Sequence, residues 1–168
     1  GNGRRTFTSP NDLAFQIAYV TVDTDSIKKT EILIKFSSQV RFERIGTEPA
    51  RVSLRYELFK TCNGKMSEPL GKWIFTQAYS SASRFNIVEE PFSFIFCQSL
   101  NCCDCCSFFV RVTPIEIINA TATVDNGQMA ALAQISCHSL ECDCRKSDSV
   151  CNKTRYKPKS PELKDIIL

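Results

Sequence analysis

The chain has 168 residues, 43% of them hydrophobic and 23% charged, the size of one globular domain that can bury a core without staples. Its 21 Lys and Arg against 18 Asp and Glu leave a net charge of +3, which excludes a polyanion binder working by bulk charge. A single histidine, His138, removes most acid–base enzyme designs, and no run reaches the roughly 20 apolar residues of a membrane-spanning helix.

Residues 1–12 are polar and punctuated by Thr8-Ser9-Pro10-Asn11, which predicts an N-terminal arm. From Leu13 onward the pattern has period two, the mark of half-buried strands. Strands are predicted over Leu13–Val22, around Ile32, Ile34 and Phe36, and over Gln39–Ile45. In Arg51–Lys60, the clearest case, Val52, Leu54, Tyr56 and Leu58 alternate with Arg51, Ser53, Arg55 and Glu57. Trp73–Tyr79, Arg84–Val88, the Phe92-Phe94-Phe96 and Phe108-Val110-Val112 series, Ile115–Val124 and Gln128–Ser136 follow. Turn residues separate them at Asp23-Thr24-Asp25-Ser26, Glu48-Pro49, Asn63-Gly64, Glu90-Pro91 and Asp125-Asn126-Gly127. The last predicts a hairpin. Together these predict an all-β fold: a single antiparallel β-sandwich of jelly-roll type over residues 13–137, with extended N- and C-terminal arms.

Residues 138–168 lose the periodicity. Between Arg145 and Lys159 stand six basic residues and one acid, and the chain ends on Asp165-Ile166-Ile167-Leu168. A solvated tail is the plain reading. An apolar tip that docks on a neighbour's sheet edge is the sharper one. Nucleic-acid binding is not expected, because Tyr156 alone accompanies the basic run and gives no stacking platform.

Ten cysteines stand out. Cys62 is isolated; Cys97, Cys102, Cys103, Cys105 and Cys106 form one group, and Cys137, Cys142, Cys144 and Cys151 a second. An even count clustered where strands meet favours disulfides or cross-links. Adjacent residues such as Cys102 and Cys103 rarely bond to each other, so each wants a partner elsewhere, in this chain or another. Zinc held by thiolates and His138 is a rival, but Cys103-x-Cys105 and Cys142-x-Cys144 are tighter than the usual knuckles. A reactive thiol would have only the Cys137–His138 neighbours to work with. No catalytic residue, cofactor or membrane insertion is expected. Asn119-Ala120-Thr121 and Asn152-Lys153-Thr154 match the glycosylation acceptor pattern.

Two stretches resemble an uncharacterised cysteine-rich β-domain family of clostridia and other endospore-forming Firmicutes. One is Val20-Thr21-Val22-Asp23-Thr24 before a hydrophobic strand. The other is Cys102-Cys103-Asp104-Cys105-Cys106-Ser107-Phe108-Phe109-Val110 leading to Ala120–Ala133. The resemblance covers residues 13–137. In style the chain is also similar to the pilins of endospore appendages, jelly-roll subunits joined by strand augmentation and disulfides. That likeness implies an extracellular or spore-surface filament whose partners are copies of itself. The donor segment would be residues 1–12 or the tip Ile166–Leu168. Residues 1–12 lack the connector cysteines of such pilins, so Cys142, Cys144 and Cys151 would take that part. Two alternatives stand beside it: a zinc-binding structural or regulatory module, and a carbohydrate-binding sandwich. For the latter the sequence displays neither an aromatic platform nor a calcium loop.

Overall fold

The computed structural model describes residues 3–23, 30–63, 65–82, 86–100 and 105–135. The alternating sequence folds there into eight strands: β1 (Arg5–Phe7), β2 (Phe15–Asp23), β3 (Thr30–Arg44), β4 (Ala50–Cys62), β5 (Glu68–Tyr79), β6 (Ile87–Leu100), β7 (Cys105–Ile118) and β8 (Ala120–Ile135). One sheet has the order β1-β8-β3-β6 and the other β2-β7-β4-β5. Every pairing is antiparallel. The first strand pairs with the eighth, the second with the seventh, the third with the sixth and the fourth with the fifth. A long ribbon has thus been rolled over on itself, and the β3–β8 and β4–β7 ladders close each sheet. This is a β-sandwich with jelly-roll order.

The core forms where the two inner faces meet. Val52, Leu54, Tyr56 and Leu58 of β4 are completely buried, opposite Ile32, Ile34, Phe36, Val40 and Phe42 of β3. Phe92, Phe94 and Phe96 reach in from β6 to an aromatic cluster spanning both sheets. Phe94 stacks on Trp73 with centroids 3.8 Å apart, and Phe92 on Tyr56 at 4.1 Å. Each large side chain so buried stabilises the fold by roughly 1.5–3 kcal/mol. Ser38 Oγ donates to the Tyr56 hydroxyl at 3.4 Å, the main polar contact within this layer.

Three sequence expectations change. Residues 5–7, predicted as part of an arm, form β1 on the flank of β8. Phe7 there is completely buried, and the Thr6 and Thr123 hydroxyls share a 2.8 Å hydrogen bond. The Asp12 carboxylate closes the turn that follows, accepting the Thr8 N–H at 2.7 Å and the Ser9 N–H at 3.1 Å. Those backbone donors hold its carboxyl below the usual range.

Second, Asp125-Asn126-Gly127 is no hairpin. It is a bulge inside β8, where Asn126 and Gly127 together face Ser38 between the Gln39–Asp125 and Ser37–Gln128 pairs. Asn126 takes the left-handed φ of 51° that such a bulge requires. The reversal lies instead at Asn119 (φ 48°). Its side-chain amide donates to Pro49 O at 2.9 Å, and its carbonyl accepts the Ile45 N–H at 2.7 Å. The predicted strand 115–124 is therefore divided between the two sheets. Third, Glu90-Pro91 lies within β6. An edge strand tolerates proline, because the missing N–H can fall on the unpaired side. The predicted tail, residues 138–168, lies outside the described residues.

Candidate interaction surfaces

Cys62 and Cys106 occupy directly opposed positions on β4 and β7 and form a disulfide, with Cα atoms 4.1 Å apart. Cys105 is also disulfide-bonded. Its N–H donates to Asn63 Oδ1 at 3.2 Å, and its carbonyl accepts the Asn63 N–H at 3.0 Å. Bonded sulfurs are not thiolates, so these three residues are not zinc ligands, and no group of three or more His, Cys, Asp or Glu gathers as a metal site among the described residues. Cys97 is a free, exposed thiol on β6. Cys102, Cys103, Cys137, Cys142, Cys144, Cys151 and His138 lie outside the described residues. The strand ends Cys62, Leu100, Cys105 and Ile135 all fall at one end of the sandwich, since Leu100 and Ile135 both pair with Thr30 while Cys105 pairs with Asp23.

The sheet edges differ sharply in how they are guarded. An unpaired strand edge is a template for another strand unless charge, proline or a bulge blunts it. β5 carries Pro69, an unpaired Leu70 and Lys72, and β2 is bulged at Ile17. The edge of β6 from Phe92 to Leu100 has no charge and no proline. On the far side of β3, β1 reaches only from Ala122 to Val124, leaving the equally uncharged β8 segment Gln128–Ile135 with no strand on its outer side among the described residues. These two open edges flank the same half of β3.

The outer face between them mixes apolar side chains with the exposed charges Glu31 and Lys35 of β3. In one row Leu132, Leu33 and Cys97 stand side by side, and in the next Ala130, Lys35 and Ile95. Ile95 and Leu132 are each 63% exposed. A shallow cleft of about 290 Å³ opens among Glu31, Leu33, Cys97, Ser99 and Leu132. The other half of this face carries ion pairs, with Arg41 reaching Glu43 and Glu89.

The outer face of the second sheet has a different character. Tyr19, Phe109 and Phe59 stand in register on β2, β7 and β4. Phe59 and Phe109 stack with centroids 5.2 Å apart, and the Arg111 guanidinium lies 4.7 Å above the Phe59 ring. Sequence reading missed this row, although Leu58-Phe59 and Phe108-Phe109 each break the alternation, so that one ring of each pair must face outward.

A family model described as "Domain of unknown function (DUF4489)" matches residues 5–134, from the first residue of β1 to the penultimate residue of β8. No curated protein matches the sequence. Among solved structures, a chain titled "Structure of infectious bursal disease virus Gt strain" is similar at 6% identity with a TM-score of 0.42. The alignment covers 78% of this chain and 30% of that one, so the chain spans under a third of that protein's length.

Proposed function

The chain belongs to the DUF4489 domain family, and from that premise we propose that it is a structural, non-catalytic subunit of a filament at an extracellular or spore surface. The style of assembly would be that of the endospore-appendage pilins. One observation carries the reading: among the described residues, two uncharged, unguarded strand edges lie on opposite sides of the same half of one sheet. β6 of one copy can align with β8 of the next, continuing the sheet from subunit to subunit. Because the two edges are different surfaces, the contact is head-to-tail and does not close on itself, which is the requirement for a filament. The neighbouring strands would flank Ile95 on the β6 edge and Leu132 on the β8 edge. The new backbone hydrogen bonds supply the affinity.

Of the two donor segments expected on sequence, residues 1–12 and the tip Ile166–Leu168, the second lies outside the described residues. β1 is already used on its own β8, so the N-terminal residues are less suited to pair with a neighbour. The thiol of Cys97 stands on the accepting edge, where oxidation with a neighbour's cysteine would lock the contact. Two thiols would give up two protons and two electrons to an oxidant such as dioxygen. The bridges at Cys62–Cys106 and Cys105 support an oxidising, extracellular setting.

The test is negative-stain microscopy with light scattering on the full chain, with and without reductant. Ile95→Lys and Leu132→Lys place a charge on each edge at exposed positions, and Ile74→Lys on β5 serves as control. Fibres from wild type and the control, with folded monomers from both edge variants, are expected. Monomeric wild type under oxidising conditions, or fibres from both edge variants, would overturn the proposal.

A further inference from the structure

The outer face of the β2-β7-β4-β5 sheet has a composition that the assembly edges do not use. We propose that it is a docking site for a carboxylate-bearing saccharide, a sugar of the uronic-acid class. Its position on the opposite side of the sandwich makes it independent of the filament reading.

The first observation is the state of Arg111. Arg4, Arg41, Arg51 and Arg55 each face a carboxylate oxygen, and Arg44 binds Ser80 O and Asn86 Oδ1. Arg111 has no such partner among the described residues. Glu57 stands directly opposite it in register but is drawn to Arg55, 3.2 Å away. The exposed guanidinium rests on aromatic faces instead, 4.7 Å from the Phe59 centroid and 5.9 Å from that of Phe109. Stacking fixes the plane of the fork and leaves its N–H donors open to a carboxylate, which it matches in bidentate geometry.

The second observation is the order of the rows. The Tyr19-Phe109-Phe59 row crosses three strands, roughly 10 Å at ordinary strand spacing, about the length of two linked pyranose rings. Tyr19, 60% exposed, offers the most open ring. One step toward the cysteine end runs a row of hydroxyls: Thr21, Ser107 and Thr61, with Thr21 and Ser107 hydrogen-bonded at 2.9 Å. One step the other way stand Arg111, Glu57 and Lys72. An aromatic strip between a hydroxyl row and a cation meets each part of an acidic sugar. The C–H face of the ring stacks, its hydroxyls bond to hydroxyls, and its carboxylate reaches Arg111. A single-stranded nucleic acid fits less well, because its phosphates need a run of cations, and here Glu57 and Asp23 share the face with Arg111.

The test is a titration of the full chain, followed by calorimetry and by amide shifts of Ser107, Phe109 and Arg111. The probes are a trigalacturonate, a neutral trisaccharide of the same linkage and a single-stranded oligothymidylate. We expect the acidic trisaccharide to bind at least about tenfold more tightly than the neutral one, with the difference shrinking at high salt. Arg111→Gln should abolish the acidic preference while keeping the thermal midpoint, and Tyr19→Ala should weaken both sugars. Equal binding of the acidic and neutral sugars, unchanged binding by Arg111→Gln, tighter binding of the oligothymidylate, or no binding of any probe would each overturn the proposal.

Discussion

Removing the Cys62–Cys106 bridge tests how the far ends of the second sheet are held together. The bridge spans a sequence separation of 44 residues. Loop-closure entropy for a loop of that length is about 13 cal/mol/K, or about 4 kcal/mol at 25 °C, withheld from the unfolded chain. The native state should lose little, because the β4–β7 ladder continues from Phe59–Phe109 through Thr61–Ser107 to this pair regardless of the covalent bond. Cys62 and Cys106 must both be changed to alanine, since either one alone would leave a thiol beside Cys105, which is itself disulfide-bonded. At about 2–4 °C per kcal/mol for a chain of this size, the thermal midpoint of the double variant should fall by about 8–16 °C. Circular dichroism under non-reducing conditions, by heat and by urea, reads this directly. The urea slope should rise as well, because the freed chain expands further when it unfolds. A midpoint shift under about 3 °C with an unchanged slope would refute the reasoning, and would mean that the unfolded chain is already pinned by the neighbouring bridge at Cys105.

Two further outcomes are expected from the fold. Tyr56 is completely buried, and burial pushes its phenol above the ordinary value of 10.0. The folded value is the higher one, so this group's contribution is complete below pH 10 and is lost as pH rises beyond it. Urea midpoints of the wild type should therefore fall above about pH 10, and Tyr56→Phe should flatten that decline; an identical decline in the variant would remove Tyr56 as the cause. Gly127→Ala is expected to cost about 1–3 kcal/mol. A Cβ there would run into the Ile17 side chain and, behind it, lie 2.7 Å from the Ile17 carbonyl oxygen on the backbone of β2, which cannot swing aside; a variant as stable as wild type would contradict that contact.

The sandwich was legible wherever one residue in two had to face oil, as in Val52-Leu54-Tyr56-Leu58. Its punctuation was not. Asn126-Gly127 satisfies a hairpin turn and a β-bulge with the same left-handed backbone, and only the pairing with β3 distinguishes them. Pro91 reads as a break until β6 is known to be an edge. Arg5–Phe7 is too short to show a period at all. The cysteine pairing could not be read either, because Cys62 and Cys106 become neighbours only through the β4–β7 register. The same holds for the recognition face: Tyr19, Phe59 and Phe109 come from three distant stretches, and each alone looks like core. The open edges were half visible. Phe92–Leu100 is plainly uncharged, but that its outer side has no strand beside it among the described residues is a property of the strand order.

That order also governs the life of the chain before it is finished. β8 lies between β1 and β3, and β7 between β2 and β4, so the last two strands among the described residues are middle strands. Until they arrive, the chain holds only the β3–β6 and β4–β5 ribbons, and two-stranded ribbons are marginal in water. Closing ladders between residues more than a hundred positions apart, such as Arg5 with Val124, is slow because the loop entropy comes due before the contacts that offset it. Throughout that interval Phe92, Phe94 and Phe96 have only the marginal β4–β5 ribbon, which carries Tyr56 and Trp73, to pack on, and the uncharged edge beside them is exposed to every other nascent copy. The uncharged β6 edge is therefore open to other chains before its own sheet is closed, and stays so until β8 has been made up to Ile135.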